Sequence, residues 1–174
     1  MPLTSNPKTF GLRQITLVSI PAGTTVALPA AQTMTFKEVL TSGELRGNDA
    51  TVAIAAYLDK LEWSMESGGF SFDAIKVMTG RTITASGTTP NQKNTILARA
   101  GDTYPYFKIY GKIMNEDGSD VHCLIYKAKL LDGLEGEWKD GEFFIQGASG
   151  IAVDDGSKLY ELVHNETATT VPGS

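Results

Sequence analysis

The sequence predicts a mainly β protein: an antiparallel β-sandwich or partly closed barrel with one short flanking α-helix. Short segments rich in β-branched residues recur along the chain, and apolar residues alternate with polar ones in several of them. Asp-Gly pairs, which are strong signals for tight turns, separate some of these segments. Only one stretch combines helical spacing of apolar residues with capping residues at both ends.

The length of 174 residues and the apolar fraction of 41% fit a single globular domain. We expect an N-terminal arm over 1–9, one β-structural domain over 10–168 and a flexible C-terminal tail over 169–174. The segment patterns predict strands over 10–20, 24–28, 33–40, 52–65, 81–86, 94–100, 104–114, 120–131, 141–153 and 158–163.

Residues 41–51 (TSGELRGNDAT) contain two glycines and three charged residues, a composition typical of an exposed loop. In the segment that follows, Leu61, Trp63 and Met65 alternate with polar residues. This alternation predicts a strand with one buried face.

The predicted helix covers about 71–79. Ser71 can serve as its N-cap, Asp73 lies in the first turn, and Gly80 can end it. Phe72, Ile75 and Met78 would form its apolar stripe.

The residues that most enzymes and metal sites need are scarce in this sequence. The chain has one cysteine, Cys123, and two histidines, His122 and His164. Neighbours on a strand point to opposite faces, so His122 and Cys123 form a poor nucleophile–base pair. We therefore expect no catalytic, cofactor-binding or metal-binding residues.

Composition also argues against an exported, membrane-inserted or DNA-binding protein. The opening MPLTSNPKTF lacks an export signal core, and no apolar run approaches the roughly 20 residues that span a bilayer, so we expect no membrane insertion. The net charge is −5, opposite to a basic nucleic-acid-binding surface. Residues 1–114 carry eleven Lys/Arg and eight Asp/Glu (+3), residues 115–163 carry four and eleven (−7), and Glu166 supplies the rest.

The order of several segments resembles the tail tube proteins (major tail proteins) of long-tailed, siphovirus-like bacteriophages. The loop SGELRGNDA, the strand KLEWSMESGG and the helix SFDAIKVMTG follow one another over 42–80. The hairpin PYFKIYGKIMNEDGSDVHCLIYKAKL at 105–130 precedes the acidic, glycine-rich 136–156 and the terminal strand 158–168. Together they cover most of the chain, and the resemblance lies in their order rather than in a short motif.

The resemblance implies six-membered rings that stack into a hollow tube, with one sheet of each subunit joining a continuous barrel around the channel. It implies location in the virion tail after assembly in the bacterial host cytoplasm. The implied partners are other copies of the chain together with tape-measure, tail-terminator and baseplate proteins. DNA would be transiting cargo during genome delivery.

Two groups of residues are candidates for roles in such a tube. The arm 1–9 and the loop 41–51 are expected to contact neighbouring rings, with candidate stacking residues Ser42, Gly43, Glu44, Leu45, Arg46, Gly47, Asn48 and Asp49. An acidic channel wall would repel DNA. The candidate lumen-facing acids are Glu116, Asp117, Asp120, Glu135, Glu137, Asp154 and Asp155.

Other interpretations remain open at this point. The chain could be a tail-completion protein or a tube protein similar to that of type VI secretion systems. A small-ligand-binding β-barrel would have a deep apolar pocket. A hydrolase would bring two carboxylates, such as Glu135 and Glu137, into one cleft with separated pKa values.

Overall fold

A computed structural model describes residues 7–28 and 30–172 of the chain. It contains the single helix α1 (Phe72–Thr79) and antiparallel strands, so the predicted mainly β class is confirmed. The strands are β1 (Thr9–Ser19), β2 (Thr25–Ala27), β3 (Ala31–Gly47), β4 (Ala50–Gly68), β5 (Ile83–Ser86), β6 (Lys93–Ile96), β7 (Phe107–Asn115), β8 (Asp120–Glu137), β9 (Ile145–Ala152) and β10 (Tyr160–Asn165).

Strand β8 organises the main sheet, whose order is β2-β1-β7-β8-β9-β4-β3. One edge of β8 pairs with β7. Residues 120–125 of β8 also pair with β10, and residues 128–137 pair with β9. A register shift between Leu130 and Leu134 interrupts the β8–β9 ladder, as expected where a long strand bends. The sheet does not close into a barrel. Strands β2-β1-β7 on one side of β8 and β9-β4-β3 on the other, here called the two wings, are consistent with a sandwich.

The core lies between these wings. Trp63 of β4 meets Phe107 of β7 edge-to-face, with ring centroids 5.6 Å apart, although the two strands are not neighbours in the sheet. Gly111 of β7 leaves room for the sulfur of Met34 from β3, with which a Cβ at position 111 would clash. Side chains from strands that are distant in the sheet order thus pack against one another.

Helix α1 covers one side of the core as predicted. Ser71 accepts a hydrogen bond from the amide of Ala74 at 3.2 Å, and Gly80 ends the helix with φ 71°. Ala74, Ile75, Val77 and Met78 are buried. The predicted caps are confirmed because both lie where local chemistry alone decides the helix ends.

The predicted flexible C-terminal tail is wrong for the residues that the structure describes. Val171 is 2% exposed and packs with Val18, Tyr110 and Leu124 on the outer side of the sheet. The backbone N–H of Thr169 donates to Asp120 at 2.8 Å. Residues 166–172 therefore form a strap over β1, β7 and β8, while 173–174 lie outside the described residues.

The predicted N-terminal arm falls mainly outside the described part, because residues 1–6 are not described. Thr9 already belongs to β1 and pairs with Asn115, so the arm ends earlier than expected. The predicted strand over 94–100 is shorter in the structure, since β6 covers 93–96 and pairs only with β5 in a separate hairpin.

Candidate functional site: an open hairpin arm

The strands β3 and β4 continue beyond the body of the protein as a two-stranded ribbon, here called the hairpin arm (residues 40–58). The ladder between β4 and β9 begins at Leu61, so only β3 and β4 pair with each other beyond this point. Every residue of the arm is exposed. Within residues 7–28 and 30–172, both outer edges of the arm lack a strand partner.

The prediction of an irregular loop over 41–51 is wrong, although its exposure is confirmed. Residues 41–47 belong to β3 and 50–51 to β4, and only Asn48 and Asp49 form the turn. Gly43 and Gly47 lie in the strand rather than in turns. The pairing strand 50–58 overrides the weak strand propensity of this glycine-rich segment.

Large apolar side chains project from both faces of the arm. Leu40, Ile54 and Leu58 lie on one face, and Leu45 and Tyr57 lie on the other, because directly paired residues share a face. Ile54 is 70% exposed and Tyr57 is 64% exposed. A ribbon that is apolar on both faces and open along both edges is an interaction surface or an aggregation hazard.

Charged residues offer little protection to this surface. Residues 50–58 (ATVAIAAYL) carry no charge. The one ion pair of the arm joins Arg46 and Glu44 at 3.5 Å and is exposed, so it contributes little stability. Long edge strands are normally guarded by lysine, proline or bulges. Only a bulge between Leu45 and Arg46 interrupts the outer half of the arm.

All eight candidate stacking residues, Ser42 to Asp49, lie in the arm. The sequence predicts the returning strand over 52–65, but the prediction of one buried face is wrong for its first half. In the structure that burial begins only near Leu61. The nine-residue uncharged run at 50–58 was the signal that distinguished the arm.

The candidate lumen-facing acids do not form one cluster. Glu116 and Asp117 lie in the turn before β8, whereas Glu135 and Glu137 lie near its far end. Asp154 and Asp155 lie in the connection from β9 to β10. These six residues are exposed.

Asp120 is the exception, and its prediction as a lumen-facing acid is wrong, because its side chain is buried inside the subunit. It is fully buried and contacts Lys112 Nζ at 3.1 Å and His122 Nε2 at 3.0 Å. Its oxygens also accept hydrogen bonds from Asn165 at 2.8 Å and from the backbone of Thr169. The carboxylate fastens the C-terminal strap to β7 and β8.

Two of the exposed acids have a local structural role. Asp117 accepts hydrogen bonds from the hydroxyl and backbone N–H of Ser119, which lower the pKa of Asp117. Hydrogen bonds from the backbones of Lys158 and Ser157 lower the pKa of Asp155. Both carboxylates stabilise turns and remain charged at neutral pH.

The histidine and cysteine positions agree with a structural interpretation. His122 is hydrogen-bonded to Asp120, and Cys123 lies in the core on the opposite face of β8. Burial raises the pKa of the Cys123 thiol to about 11, which disfavours the nucleophilic thiolate. Among the described residues, no group of three or more His, Cys, Asp or Glu side chains could hold a metal ion.

Two pockets, of about 400 and 380 Å³, are lined mostly by polar and charged residues, unlike the apolar pocket of the ligand-binding alternative. One smaller cavity is largely apolar. Its volume is about 230 Å³, and Leu12, Met34, Phe36, Gly111 and Cys123 contribute to its wall. Sites for drug-sized ligands usually enclose roughly 300–1,000 Å³. The cavity lies where the two wings meet, between β1, β3 and β7.

Among the described residues, no helix is both long and apolar enough to cross a bilayer. Comparisons with protein families and with curated proteins find no match to the chain. The hairpin arm, with its open edges and its exposed apolar side chains, is the candidate functional site of the described subunit.

Proposed function

We propose that this protein is a structural virion subunit that assembles through its hairpin arm into stacked hexameric rings, forming a phage tail tube. The observation that carries self-assembly is the arm, with open edges and apolar side chains on both faces. The ring number, the tube and the tail location come from the resemblance of segment order to tail tube proteins. A related tail-completion or secretion-tube role uses the same assembly chemistry.

The arm supplies the two interactions that strand addition requires. Its open edges offer backbone N–H and C=O groups to a neighbouring strand, and its apolar side chains lose contact with water when covered. In the free subunit, neither the open edges nor the apolar side chains of the arm are covered by protein. Assembly therefore removes the edge liability instead of guarding against it.

In this proposal the subunit is not an enzyme, and genome delivery depends on the tube wall. The exposed acids Glu116, Asp117, Glu135, Glu137, Asp154 and Asp155 are the remaining candidates for the channel surface. A negative wall repels the DNA backbone and lets it slide. A reconstruction of the tube that shows a channel surface dominated by Lys and Arg would contradict this assignment.

A matched pair of charge substitutions tests the role of the arm. Ile54→Glu places a charge on the arm, whereas Leu97→Glu places the same charge on a residue outside it that is 62% exposed. Both side chains are exposed, so both variants should keep the thermal midpoint of the wild type within a few degrees. We expect Ile54→Glu to remain monomeric by light scattering coupled to size exclusion, and Leu97→Glu to assemble.

Comparing the two variants also distinguishes assembly through the arm from non-specific association. Equal loss of assembly in both variants would indicate non-specific association, and normal assembly of Ile54→Glu would remove the arm from the contact.

A further inference from the structure

Lysine and tyrosine side chains form a group on the outer face of strands β7 and β8, on the side of the sheet away from the core. Phe107, Ile125 and Ala128 are buried in the core, so the residues beside them on the two strands point outward. We call this group the lysine–tyrosine patch, and its members are Tyr106, Lys108, Tyr126, Lys127 and Lys129.

The lysine head groups of the patch are held over aromatic rings. Lys127 Nζ and Lys129 Nζ both lie 5.1 Å from the centroid of the Tyr106 ring. Lys108 Nζ lies 6.0 Å from the centroid of the Tyr126 ring. Cation–π attraction of this kind positions the charges before any partner arrives, so less order has to be imposed on binding.

Carboxylates inside the subunit leave most of this positive charge uncompensated. Among the described residues, none of the three patch lysines forms an ion pair, whereas the neighbouring Lys158 pairs with Glu161 at 2.7 Å. Backbone hydrogen bonds from Lys158, and then the charges of Lys108 and Lys127, lower the pKa of Asp155, so this one carboxylate lies near the patch. The patch is therefore a positive surface on a chain whose net charge is −5.

The position of these lysines in the sheet argues against a merely protective role. Lysines often guard edge strands, but β7 pairs with both β1 and β8 and lies inside the sheet. Lys127 and Lys129 are also half-buried rather than fully extended into solvent. An ordered positive surface on central strands suits an anionic partner.

The chemistry of the patch favours an acidic protein over a nucleic acid. Single strands bind to aromatic rings on which their bases stack, but ammonium groups already lie over Tyr106 and Tyr126. The hydroxyl of Tyr126 also donates to Glu161 at 2.7 Å, and this carboxylate would repel a phosphate. Surfaces that bind duplex DNA usually belong to domains with an excess of Lys and Arg.

The chain itself carries a complementary surface, here called the acidic segment (residues 135–144, EGEWKDGEFF), at the end of β8 and in the connection to β9. It contains four carboxylates and one lysine. Lys139 pairs with Glu137 at 3.1 Å and with Glu142 at 3.9 Å, while Asp140 has no ion pair among the described residues. The acidic segment therefore keeps negative charge available for a partner.

The other dense group of acids in the chain is less available. At 116–120, Asp120 is buried and Asp117 is hydrogen-bonded to Ser119. Only Glu116 of that group is both exposed and without a described hydrogen bond or ion pair. Charge complementarity thus selects the acidic segment.

Exposed aromatic rings give the acidic segment a second property that matches the patch. Phe143 is 97% exposed and Trp138 is 78% exposed. Lysine stems and tyrosine rings can cover such side chains while the lysine head groups meet carboxylates. The two surfaces therefore match in apolar content as well as in charge.

The patch and the acidic segment occupy different parts of one subunit. Glu137 follows Lys129 by eight positions on β8, up to about 26 Å along the strand, and no ion pair among the described residues joins the two surfaces. A contact between them on two copies is head to tail. Contacts of this type close into rings when the rotation between copies permits.

We propose that the lysine–tyrosine patch binds the acidic segment of a second copy of this chain. The inference rests on the proposed self-assembly and deepens it, because it identifies a second contact, separate from the hairpin arm, that joins neighbours around a ring. The lysine head groups meet the carboxylates of Asp140 and Glu142, and the Phe143 ring packs against the lysine stems. The channel candidates Glu135 and Glu137 are not required for this contact.

Charge reversal on each surface tests the contact. One variant combines Lys127→Glu with Lys129→Glu, and the other combines Asp140→Lys with Glu142→Lys. Each variant places like charges opposite each other, so each should raise the protein concentration needed for association in sedimentation velocity by about tenfold or more.

A matched control separates this effect from a change in net charge. Lys76 and Lys93 are exposed lysines outside the patch. Lys76→Glu combined with Lys93→Glu makes the same change in net charge as the patch variant and should associate like the wild type.

Mixing the two reversed variants tests the pairing of the surfaces. In an equimolar mixture, the reversed patch of one variant faces the reversed segment of the other, and the two unchanged surfaces also face each other. The mixture should therefore associate at the wild-type concentration, where neither variant does so alone. A variant that had only misfolded would not be restored in this way.

The outcomes distinguish this inference from the proposed function. Wild-type association by both reversed variants would overturn the contact, while assembly through the hairpin arm would stand. A mixture no better than its components would overturn the pairing of these two surfaces. Binding of a labelled oligonucleotide by the wild type, but not by the patch variant, would overturn it in favour of a nucleic-acid site. A wild-type protein that never associates would overturn both the contact and the proposed function.

Discussion

At the scale of single residues, Asp120 shows how burial changes the role of an acidic side chain. It begins β8, directly after the turn formed by 116–119, and it is fully buried. Burial alone would raise its pKa, but hydrogen bonds from Asn165 and Thr169, followed by those from Lys112 and His122, outweigh burial and lower the pKa to about 2. The charged carboxylate is thus part of the folded structure.

Removing this charge should release the strap. Asp120→Asn keeps the shape of the side chain but leaves Lys112 without its buried counter-charge, and we expect the free energy of unfolding to fall by about 3 kcal/mol. Chemical denaturation measures the loss, and limited proteolysis should show earlier cleavage near Thr169. Glu116→Gln, at an exposed position in the preceding turn, is the control and should leave both measurements unchanged.

The same carboxylate predicts an acid-sensitive stability. The folded-state pKa of about 2 lies below the ordinary value of 3.8, so Asp120 contributes about 2 kcal/mol to the free energy of unfolding above pH 4. This contribution is lost as the pH falls from about 4 to 2. The difference in unfolding free energy between wild type and Asp120→Asn should therefore narrow over that range, and a constant difference would contradict the assignment.

Sequence reasoning placed Asp120 with the exposed acids because its neighbours Glu116 and Asp117 belong to an evident turn. The partners that bury it, Asn165 and Thr169, are 45 and 49 residues away. No local pattern reports such a contact. Ser71 and Gly80, in contrast, act on groups within four residues and were predicted correctly.

At the scale of secondary-structure elements, the hairpin arm is unusual because its long edge strands are not protected, as edge strands normally are in β proteins. The alternation of Leu61, Trp63 and Met65 predicted the buried half of β4 correctly, because packing on the core requires it. The outer half packs on nothing in the described subunit. Its pattern reflects neither a core face nor a polar surface.

Two sequence features concealed the arm. The glycines and charges of 41–47 are typical of a loop, yet pairing with 50–58 makes them a strand. The turn has no glycine at Asn48 or Asp49, so the strongest hairpin signal is missing. The aromatic cluster of Phe70, Trp138 and Phe144 was equally hidden, since Phe70 precedes α1 whereas Trp138 and Phe144 lie in the distant connection from β8 to β9.

At the scale of the whole molecule, several surface features are unusual for a subunit that functions alone. One end carries the arm, the other carries an aromatic cluster with an exposed Trp138, and the sheet between them ends in β3, an edge strand of 17 residues. These features are costly in an isolated subunit, and the proposed association of copies would cover them. The acidic excess of 115–163 then limits binding to the DNA that the proposed tube would carry.

Negative-stain electron microscopy of the purified wild-type protein over a range of concentrations tests the central proposal most directly. We predict rings with sixfold end views at intermediate concentrations and hollow tubes of uniform width at high concentrations. Monodisperse single subunits at every concentration would contradict the account.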